Sequence, residues 1–423
     1  MAPFFVECLA ERGISVPTEI QRLVIPPLLS GKSVLFNSAT GTGKTFAYLI
    51  PLFQSLFSSK NVADRMDGGG APVRNGWPRL LICAPTYELC SQIKGEADFL
   101  LRNLPVNRTS FNGEEGDTPA PAARRMPVKA SLVIGAAAMG RQIDILKQDK
   151  PQVIIGNPGR LLQLARMGKL RFKAVEALVL DEGDRLIADE LFAGTRELVS
   201  LVNPERQTIA CSATVSSRSR DRLIPMMGGG KDGGPRIMAA GDNEALRDAI
   251  EHWALFSEVR RKISILRSFL AAVSPRKVLV FTARPWQVGN IVSQLQYRRL
   301  AAGALHGDMD KKARKQALED FRQGRTDILV TSDLAARGLD ISGITHIIAL
   351  DVPETGDPYI HRAGRTGRAG NRGIMVTIGD EEELRRLAKL EKKLGIVIYP
   401  KELYEGKIIS PPEDLKENDA EYL

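Results

Sequence analysis

The sequence predicts an α/β fold in which two mainly parallel sheets, each flanked by helices, form two domains. Short apolar runs alternate with helical stretches, which is typical of parallel strands that are buried on both faces. The first series of runs is at residues 33–37, 79–84, 151–155, 177–180 and 207–211. The second series is at residues 277–282, 326–330, 346–350 and 373–377. A chain of 423 residues has room for roughly two to three domains.

A glycine-rich segment at residues 228–235 separates the two series of strands. We expect an N-terminal domain at residues 1–230, a flexible linker at 231–245 and a C-terminal domain at 246–400. An acidic tail at 401–423 is expected to be a solvated extension. Two polar insertions, residues 58–78 and 103–129, are predicted surface loops whose role the sequence leaves open.

The composition of the sequence excludes several classes of protein. Hydrophobic residues make up 43% and charged residues 26%, which excludes a disordered chain. No apolar run approaches the roughly 18 residues that span a bilayer. The first 13 residues lack the apolar core of a secretory signal. We therefore expect a cytoplasmic protein.

Charge and cysteine content bear on partners. Lysine and arginine number 59 against 50 acids, a net charge of +9, which favours a polyanionic partner. The four cysteines form no C-x-x-C pair, so neither a zinc site nor a disulfide framework is expected.

Residues 38–45, Ser-Ala-Thr-Gly-Thr-Gly-Lys-Thr, form a candidate phosphate-binding loop between the first predicted strand and a helical run. Gly41 and Gly43 let backbone N–H groups approach phosphates closely. Lys44 supplies a cation to the β and γ phosphates, and the Thr45 hydroxyl can ligate Mg²⁺. Ser38 stands where the strict pattern has glycine.

An apolar strand at residues 177–180 ends in the acids Asp181, Glu182 and Asp184. Asp181 can hold Mg²⁺ through its water shell, and Glu182 can orient or deprotonate an attacking water. Acids at a strand end also occur as plain helix caps. Because the phosphate loop and the acids occur together, the sequence predicts hydrolysis of a nucleoside triphosphate with Mg²⁺.

With these two motifs in place, residues 4–380 resemble the DEAD-box RNA helicases of helicase superfamily two, motif after motif in the family's order. The resemblance implies two RecA-like domains with ATP and Mg²⁺ as cofactors. It implies an RNA-stimulated ATPase that closes its domains on single-stranded RNA, separates short duplexes or remodels ribonucleoproteins, and binds RNA without sequence preference. A monomer is expected.

The resemblance also implies roles for individual residues. Residues 13–21 are similar to the family's adenine-recognition motif, which favours ATP over GTP. The implied nucleotide contacts are Phe4, Gln21, Thr40, Gly41, Thr42, Gly43, Lys44, Thr45 and Asp340, with Thr45 and Asp181 at the metal. The implied catalytic set is Lys44, Asp181, Glu182 and the arginine fingers Arg365 and Arg368.

Coupling between the domains is assigned by the same resemblance to Asp184, Ser212, Thr214 and His361. RNA contacts are assigned to Pro85, Thr86, Gly135, Pro158, Gly159, Arg160, Arg314, Thr331 and Gly338. Backbone-directed contacts of this kind carry little sequence information.

Two departures from the family pattern concern RNA handling and the acidic motif. Tyr87 stands where the family usually has arginine, and we expect its ring to pack rather than to stack on a base. Gly183 replaces the alanine of the family's name, which costs local backbone entropy of up to roughly 1 kcal/mol.

Two alternative functions stay open on the sequence. One is a DNA helicase of the same superfamily, and the other is an ATP-gated RNA clamp or scaffold with weak unwinding. The physiological RNA, the oligomeric state and any regulators are not determined by the sequence.

Overall fold

The computed structural model describes residues 2–37, 43–57, 78–104, 128–212, 217–228, 234–239, 249–336, 341, 343–367 and 371–411. Its contacts divide the chain into two compact units, with the main boundary between Ala240 and Gly241. None of the helices in these ranges combines the length and apolar character needed to cross a bilayer.

The first unit is built on a parallel sheet with the strand order β3-β4-β2-β5-β6-β1-β7. Its strands are β1 Val34–Asn37, β2 Leu80–Cys83, β3 Ala130–Val133, β4 Val153–Gly156, β5 Ala177–Leu180, β6 Gln207–Ser212 and β7 Arg236–Ala239. Its helices are α1 Pro3–Ala10, α2 Glu19–Leu29, α3 Lys44–Phe57, α4 Tyr87–Arg102, α5 Met139–Asp149, α6 Pro158–Arg166, α7 Gly183–Leu186, α8 Asp189–Ser200 and α9 Ser217–Met227.

The second unit has an eight-stranded sheet with the order β10-β11-β9-β12-β13-β8-β14-β15. Its strands are β8 Ile250–Phe256, β9 Val278–Phe281, β10 Ala302–Leu305, β11 Ile328–Thr331, β12 His346–Ala349, β13 Gly373–Gly379, β14 Ile398–Tyr404 and β15 Lys407–Ile409. Its helices are α10 Lys262–Val273, α11 Val288–Tyr297, α12 Lys311–Arg322, α13 Asp333–Ala336, α14 Gly356–Ala363 and α15 Glu381–Leu394. All of its strand pairs are parallel except β14–β15.

The central strands explain why both sheets form. Strands β1, β2, β4, β5, β9, β11 and β12 are buried at every residue, and an apolar cluster covers each face of each sheet. Continuous burial on both faces is what near-continuous apolar runs require. The predicted α/β class with two helix-flanked parallel sheets is therefore confirmed.

The predicted linker and tail need correction. Residues 236–239, placed in a flexible linker, form strand β7, which pairs in parallel with β1. Residues 401–409, placed in a solvated tail, belong to β14 and β15, which continue the second sheet. The turn between them is Glu405-Gly406, and both residues have positive φ, 47° and 75°, as a two-residue hairpin requires.

Most of the two predicted insertions, and residues 412–423, lie outside the described residues. All four cysteines, Cys8, Cys83, Cys90 and Cys211, are buried and free of disulfide bonds. Burial raises the pKa of Cys90 to about 12, so its thiol stays protonated at neutral pH.

One buried arginine ties three elements of the second unit together. Arg362 on α14 is 1% exposed. Its Nε and Nη2 atoms donate to the two carboxylate oxygens of Asp333, both at 2.7 Å, at the start of α13. Nη2 also donates to Oδ1 of Asp351 at 2.8 Å, just beyond β12. Burial disfavours the guanidinium charge, but the two carboxylates outweigh it and raise the pKa of Arg362.

Replacing this arginine tests how much the network stabilises the second unit. We expect Arg362→Met to lower the free energy of unfolding by about 3 kcal/mol, because two carboxylates lose their partner in a largely buried place. Urea unfolding, with amide exchange of β12 and β13 as a local probe, measures this.

The control for this prediction is Arg385→Met, which removes an exposed pair with Glu381 on α15. That change should cost less than about 0.5 kcal/mol. Equal losses in the two variants would contradict a structural role for the buried network.

Candidate functional site

The described part of the phosphate loop is its end, at the first turn of α3. Thr40, Gly41 and Thr42 lie outside the described residues. Gly43 has a φ of +89°, and a Cβ atom there would lie 2.5 Å from Nε2 of Gln21. The backbone conformation therefore favours glycine, and a Cβ atom would also require the Gln21 amide to move. Lys44 and Thr45 follow, partly exposed, at a helix N-terminus where the macrodipole favours phosphate.

Gln21 connects the predicted adenine motif to the phosphate loop. Its Oε1 accepts from the backbone N–H of Thr18 at 3.1 Å, which caps α2. Its Nε2 donates to the carbonyl oxygen of Gly43 at 3.1 Å. A side-chain amide has two donor hydrogens and two acceptor lone pairs, so one of each is left for a base edge. Phe4, on α1, is partly buried with its ring centroid 4.2 Å from that of Phe5.

Asp181 is a buried carboxylate held by three donors. It is 3% exposed. Its Oδ1 accepts from the backbone N–H of Glu182 at 2.8 Å and from the thiol of Cys211 at 3.2 Å. Its Oδ2 accepts from the hydroxyl of Tyr48 at 2.8 Å. One lone pair of Oδ2 remains for a further ligand.

Tyr48 is fully buried one turn after Lys44 on α3. Burial, and then the charge of Asp181, raise the pKa of Tyr48 well above its usual value, while the nearby Thr45 side chain opposes the shift. The tyrosine therefore stays protonated and acts only as a donor to Asp181.

Glu182 adopts a left-handed backbone conformation with a φ of +49°. This conformation costs roughly 1–2 kcal/mol for a residue with a side chain. The residue is 8% exposed and lies where β5 passes into the short helix α7.

Two of the residues assigned to coupling, Ser212 and Asp184, are in contact inside the first unit. The hydroxyl of Ser212, the last residue of β6, donates to Oδ1 of Asp184 at 3.0 Å. Thr214, from the same tripeptide, lies outside the described residues.

Two of the predicted RNA loops of the first unit are joined by Arg160. Its Nη2 donates to the carbonyl of Gly135 at 2.9 Å, and its Nη1 donates to that of Ala137 at 3.2 Å. Pro158 is buried and Gly159 is exposed in the first turn of α6. The structure therefore gathers Gly135 and residues 158–160 in one place.

A third loop, at the end of β2, contains Pro85 and Thr86, both partly exposed. The Thr86 hydroxyl accepts from the backbone N–H of Leu89 at 3.3 Å and caps α4. Tyr87, the first residue of α4, is 45% exposed. More than half of its surface is covered, and the expectation that its ring packs stays a prediction.

In the second unit, Thr331 ends β11 and is fully buried, and its hydroxyl donates to the carbonyl of Ser332. Arg314 donates to the carbonyl of Ala335 at 2.8 Å, so its guanidinium is anchored to α13. Arg365 is 6% exposed and His361 is partly buried, both at the end of α14. Gly338, Asp340 and Arg368 lie outside the described residues.

Sequence reasoning missed Tyr48 and Cys211. Both occupy positions that read as apolar core, one on a helix and one on a strand. The only local signal is that Tyr48 lies four residues after Lys44, on the same helix face.

Comparison with known proteins covers nearly the whole chain. A DEAD/DEAH box helicase model matches residues 18–223, and a helicase conserved C-terminal domain model matches residues 261–370. The chain is 32% identical over 409 residues to the DEAD-box ATP-dependent RNA helicase CshC of Bacillus cereus, across 97% of this chain and 94% of that protein. This chain belongs to the DEAD-box ATP-dependent RNA helicase family.

Other relatives agree with this assignment. The chain is 30% identical to the ATP-dependent RNA helicase RhlB of Klebsiella pneumoniae, over 93% of this chain and 85% of that protein. Among solved structures, Mss116 bound to single-stranded RNA and UDP-BeF matches with a TM-score of 0.77 at 22% identity, over 100% of this chain and 81% of that one. S. cerevisiae Dbp5 bound to RNA and ADP BeF3 matches with a TM-score of 0.76 at 22% identity, over 99% and 96%. These two likenesses support the RecA-like fold.

This DEAD-box helicase has glycine at the position of the family's alanine, and its packing accounts for the difference. A Cβ atom on Gly183 would lie 3.0 Å from Cδ1 and 3.3 Å from Cδ2 of Leu223. Leu223, on α9, is fully buried. The leucine therefore fills the space that an alanine methyl would need.

The hydrogen bond from Tyr48 to Asp181 leads to a prediction about how ATP turnover depends on the Mg²⁺ concentration. We expect Tyr48→Phe to lower kcat for ATP about tenfold and to raise the Mg²⁺ concentration needed for half-maximal rate, because Asp181 loses one charge-assisted bond. Turnover across a Mg²⁺ series and the affinity for ADP with and without Mg²⁺ measure these effects.

Tyr399→Phe on β14, an exposed tyrosine in the second unit, is the control and should leave both quantities unchanged. A Tyr48→Phe protein with the wild-type Mg²⁺ dependence would show that the bond does not orient Asp181.

A second prediction concerns Gly183 and Leu223. We expect Gly183→Ala to gain less stability than the roughly 0.5–1 kcal/mol usual for such a change in a helix, because Leu223 must move. In a double-mutant cycle, Leu223→Val should cost at least about 0.5 kcal/mol less in the alanine background.

Gly95→Ala is the matched control, since Gly95 lies in α4 with open space around its Cβ position. This variant should show the full stability gain of roughly 0.5–1 kcal/mol in urea unfolding. If the changes in unfolding free energy caused by Gly183→Ala and Leu223→Val were additive, the explanation that Leu223 fills the space of an alanine methyl would be contradicted.

Proposed function

We propose that this chain hydrolyses ATP with Mg²⁺ in order to grip single-stranded RNA and locally separate short duplexes or remodel ribonucleoproteins. The observation that carries the proposal is the double role of α3. Its first turn presents Lys44 and Thr45, and Tyr48, one turn later, donates to Asp181. One rigid element thus links the residues proposed for the phosphates to those proposed for the metal.

The donor set suits Mg²⁺. This ion prefers oxygen ligands and keeps several waters of its own. Thr45 is partly exposed, and Asp181 has an acceptor site left on Oδ2. We assign Thr45 and Asp181 to the metal, whose charge would offset that of the phosphates. Lys44 would bind the β and γ phosphates.

Glu182 is assigned to the attacking water. Its carboxylate would take a proton from the water as the water oxygen bonds to the γ-phosphorus and the bond to ADP breaks. Glu182 follows Asp181 directly in the sequence and precedes the helix α7. Gln21 and Phe4 are assigned to the adenine, and Asp340 to the ribose.

The second unit would supply charge to the same reaction. Arg365 and Arg368 are assigned to the γ-phosphate, where an arginine finger contributes about 10³- to 10⁵-fold in rate. Asp184, Ser212, Thr214 and His361 are assigned to coupling between the two units. The Ser212–Asp184 hydrogen bond supports this assignment on the side of the first unit.

RNA would be held mostly through its backbone, by the first-unit loops that Arg160 joins and by Arg314, Thr331 and Gly338 of the second unit. ATP and RNA would each favour the closed arrangement, so that each raises the affinity for the other. A strand bent by closure cannot stay paired with its complement. We also propose a monomeric and cytoplasmic protein.

Neither the DNA helicase nor the RNA scaffold is favoured over this proposal, because the curated relatives described above are named ATP-dependent RNA helicases.

ATP turnover with and without single-stranded RNA tests the proposal. RNA should raise the rate, Lys44→Ala should lower it at least about 100-fold, and Glu182→Gln should bind ATP but turn it over at least about 100-fold more slowly. Lys147→Ala, an exposed lysine on α5, is the control and should match wild type. Equal rates with and without RNA would contradict the coupling, and an unaffected Lys44→Ala protein would contradict the site.

A further inference from the structure

Gln142 is a buried polar side chain to which the proposed ATP and RNA contacts assign no role. It ends the first turn of α5 and is 4% exposed. Burying an amide costs free energy unless its polar atoms are hydrogen-bonded. The partners of this side chain therefore show what it holds in place.

The hydrogen bonds of Gln142 reach back to the loop at residues 134–137, which lies between β3 and α5. Its Oε1 accepts from the backbone N–H of Ile134 at 3.2 Å. Its Nε2 donates to the carbonyl of Ile134 at 2.8 Å and to that of Ala137 at 3.0 Å. Both amide hydrogens are thus used, and the loop is tied at its first and last residues.

Arg160 ties the middle of the same loop, since it donates to the carbonyls of Gly135 and Ala137. The carbonyls of residues 134, 135 and 137 therefore all accept from protein donors. Gly135 is exposed, and no acceptor in the described part of the chain takes its backbone N–H. This donor is left for a ligand or for water.

We propose that Gln142 is a positioning residue for RNA binding, which holds the loop at residues 134–137 in the shape that presents the Gly135 N–H to an RNA phosphate. This rests on the proposed function, which assigns an RNA contact to Gly135, and adds the residue that sets the shape of the loop. Backbone N–H groups bind phosphate oxygens without reading the sequence. A donor that is already held in place need not be ordered when RNA binds, so the affinity is higher.

Neither helix capping nor packing explains the amide of Gln142. The N-cap residue of α5 is Ala138, and the amide bonds the loop rather than the N–H groups of the first helical turn, which are unpaired in a helix. Leu146, one turn later on the same face of α5, is buried as well. An apolar side chain would therefore serve for packing at position 142, and the amide is needed for its bonds to the loop.

Binding of a fluorescein-labelled single-stranded RNA to the full chain, with a non-hydrolysable ATP analogue, tests the proposal. Gln142→Met keeps the length and packing of the side chain but removes all three hydrogen bonds. We expect its RNA affinity to fall at least about fivefold, which is the effect of losing one well-placed hydrogen bond. Gln142→Glu keeps the bond to the Ile134 N–H but loses both donors, so it should also bind RNA more weakly, and it decides the test if Gln142→Met does not fold.

The matched control is Gln207→Met. Nε2 of Gln207, at the start of β6, donates to the carbonyls of Leu28 at 3.0 Å and Lys32 at 2.8 Å. The start of β6 lies at the opposite edge of the sheet from the loop that follows β3, so this variant should lose stability in urea unfolding and keep its RNA affinity. An equal loss of RNA affinity in Gln142→Met and Gln207→Met would overturn the proposal.

RNAs that carry one methylphosphonate, each at a different position, separate phosphate contact from general loosening of the fold. The substitution removes the charge and one acceptor oxygen of a single phosphate. At one of the positions where it weakens binding to wild type, Gln142→Met should show no penalty, while the penalties at the other positions should persist. Unchanged affinity in both Gln142 variants, or the wild-type penalty at every position in Gln142→Met, would overturn the proposal.

RNA-stimulated ATP turnover is measured on the same proteins. In Gln142→Met the RNA concentration for half-maximal stimulation should rise by the same factor as the affinity falls, with kcat at saturating RNA close to wild type. Absence of stimulation in wild type would reject the proposed function itself. Stimulation in wild type together with normal RNA affinity in both Gln142 variants would reject only the positioning role.

Discussion

The burial of the Asp181 carboxylate is the constraint on which the first unit's site depends. A buried charge is tolerated only when its hydrogen bonds are satisfied. Here the donors come from α3, from β6 and from the turn after β5. These three elements are therefore fixed relative to one another by one side chain. Because α3 also begins with Lys44 and Thr45, the same bonds set where the phosphate loop ends.

The parallel sheets explain why residues so distant in sequence meet. Strands that run in the same direction end at one edge, so whatever follows them is brought together. In the first unit Asp181 follows β5 and Ser212 ends β6, and in the second unit Thr331 ends β11 beside the turn that follows β9. The Ser212–Asp184 bond and the Thr282–Thr331 bond are two instances of neighbouring strand ends in contact. Sequence alone predicts this gathering once the strands are recognised as parallel.

Prediction of strands from the sequence succeeded where burial along the strand is continuous and failed where burial is mixed. The buried central strands were all recognised because their apolar runs have no other explanation. Strands β3, β7, β8, β10, β14 and β15 were not predicted. Each of them includes residues that are partly or fully exposed, so their sequence patterns are mixed. Similarly, motif residues could be placed at the site, whereas Tyr48 could not. A tyrosine in an apolar helix is read as core, and only the folded arrangement shows that its hydroxyl meets a carboxylate.

Two arginines three residues apart show that residue type and spacing do not determine what an arginine side chain binds. Arg362 and Arg365 belong to one motif, and spacing alone allows both to face phosphates. In the structure the charge of Arg362 is neutralised inside the second unit by Asp333 and Asp351. Its guanidinium cannot leave those carboxylates for a phosphate without leaving two partly buried charges unpaired. The two arginines of the motif therefore have different roles, and Arg362 holds α14 against the sheet. The neighbouring Arg365 lies two residues past the end of that helix, and its backbone N–H donates to the carbonyl of Arg362 at 3.1 Å, so its position depends on this anchoring.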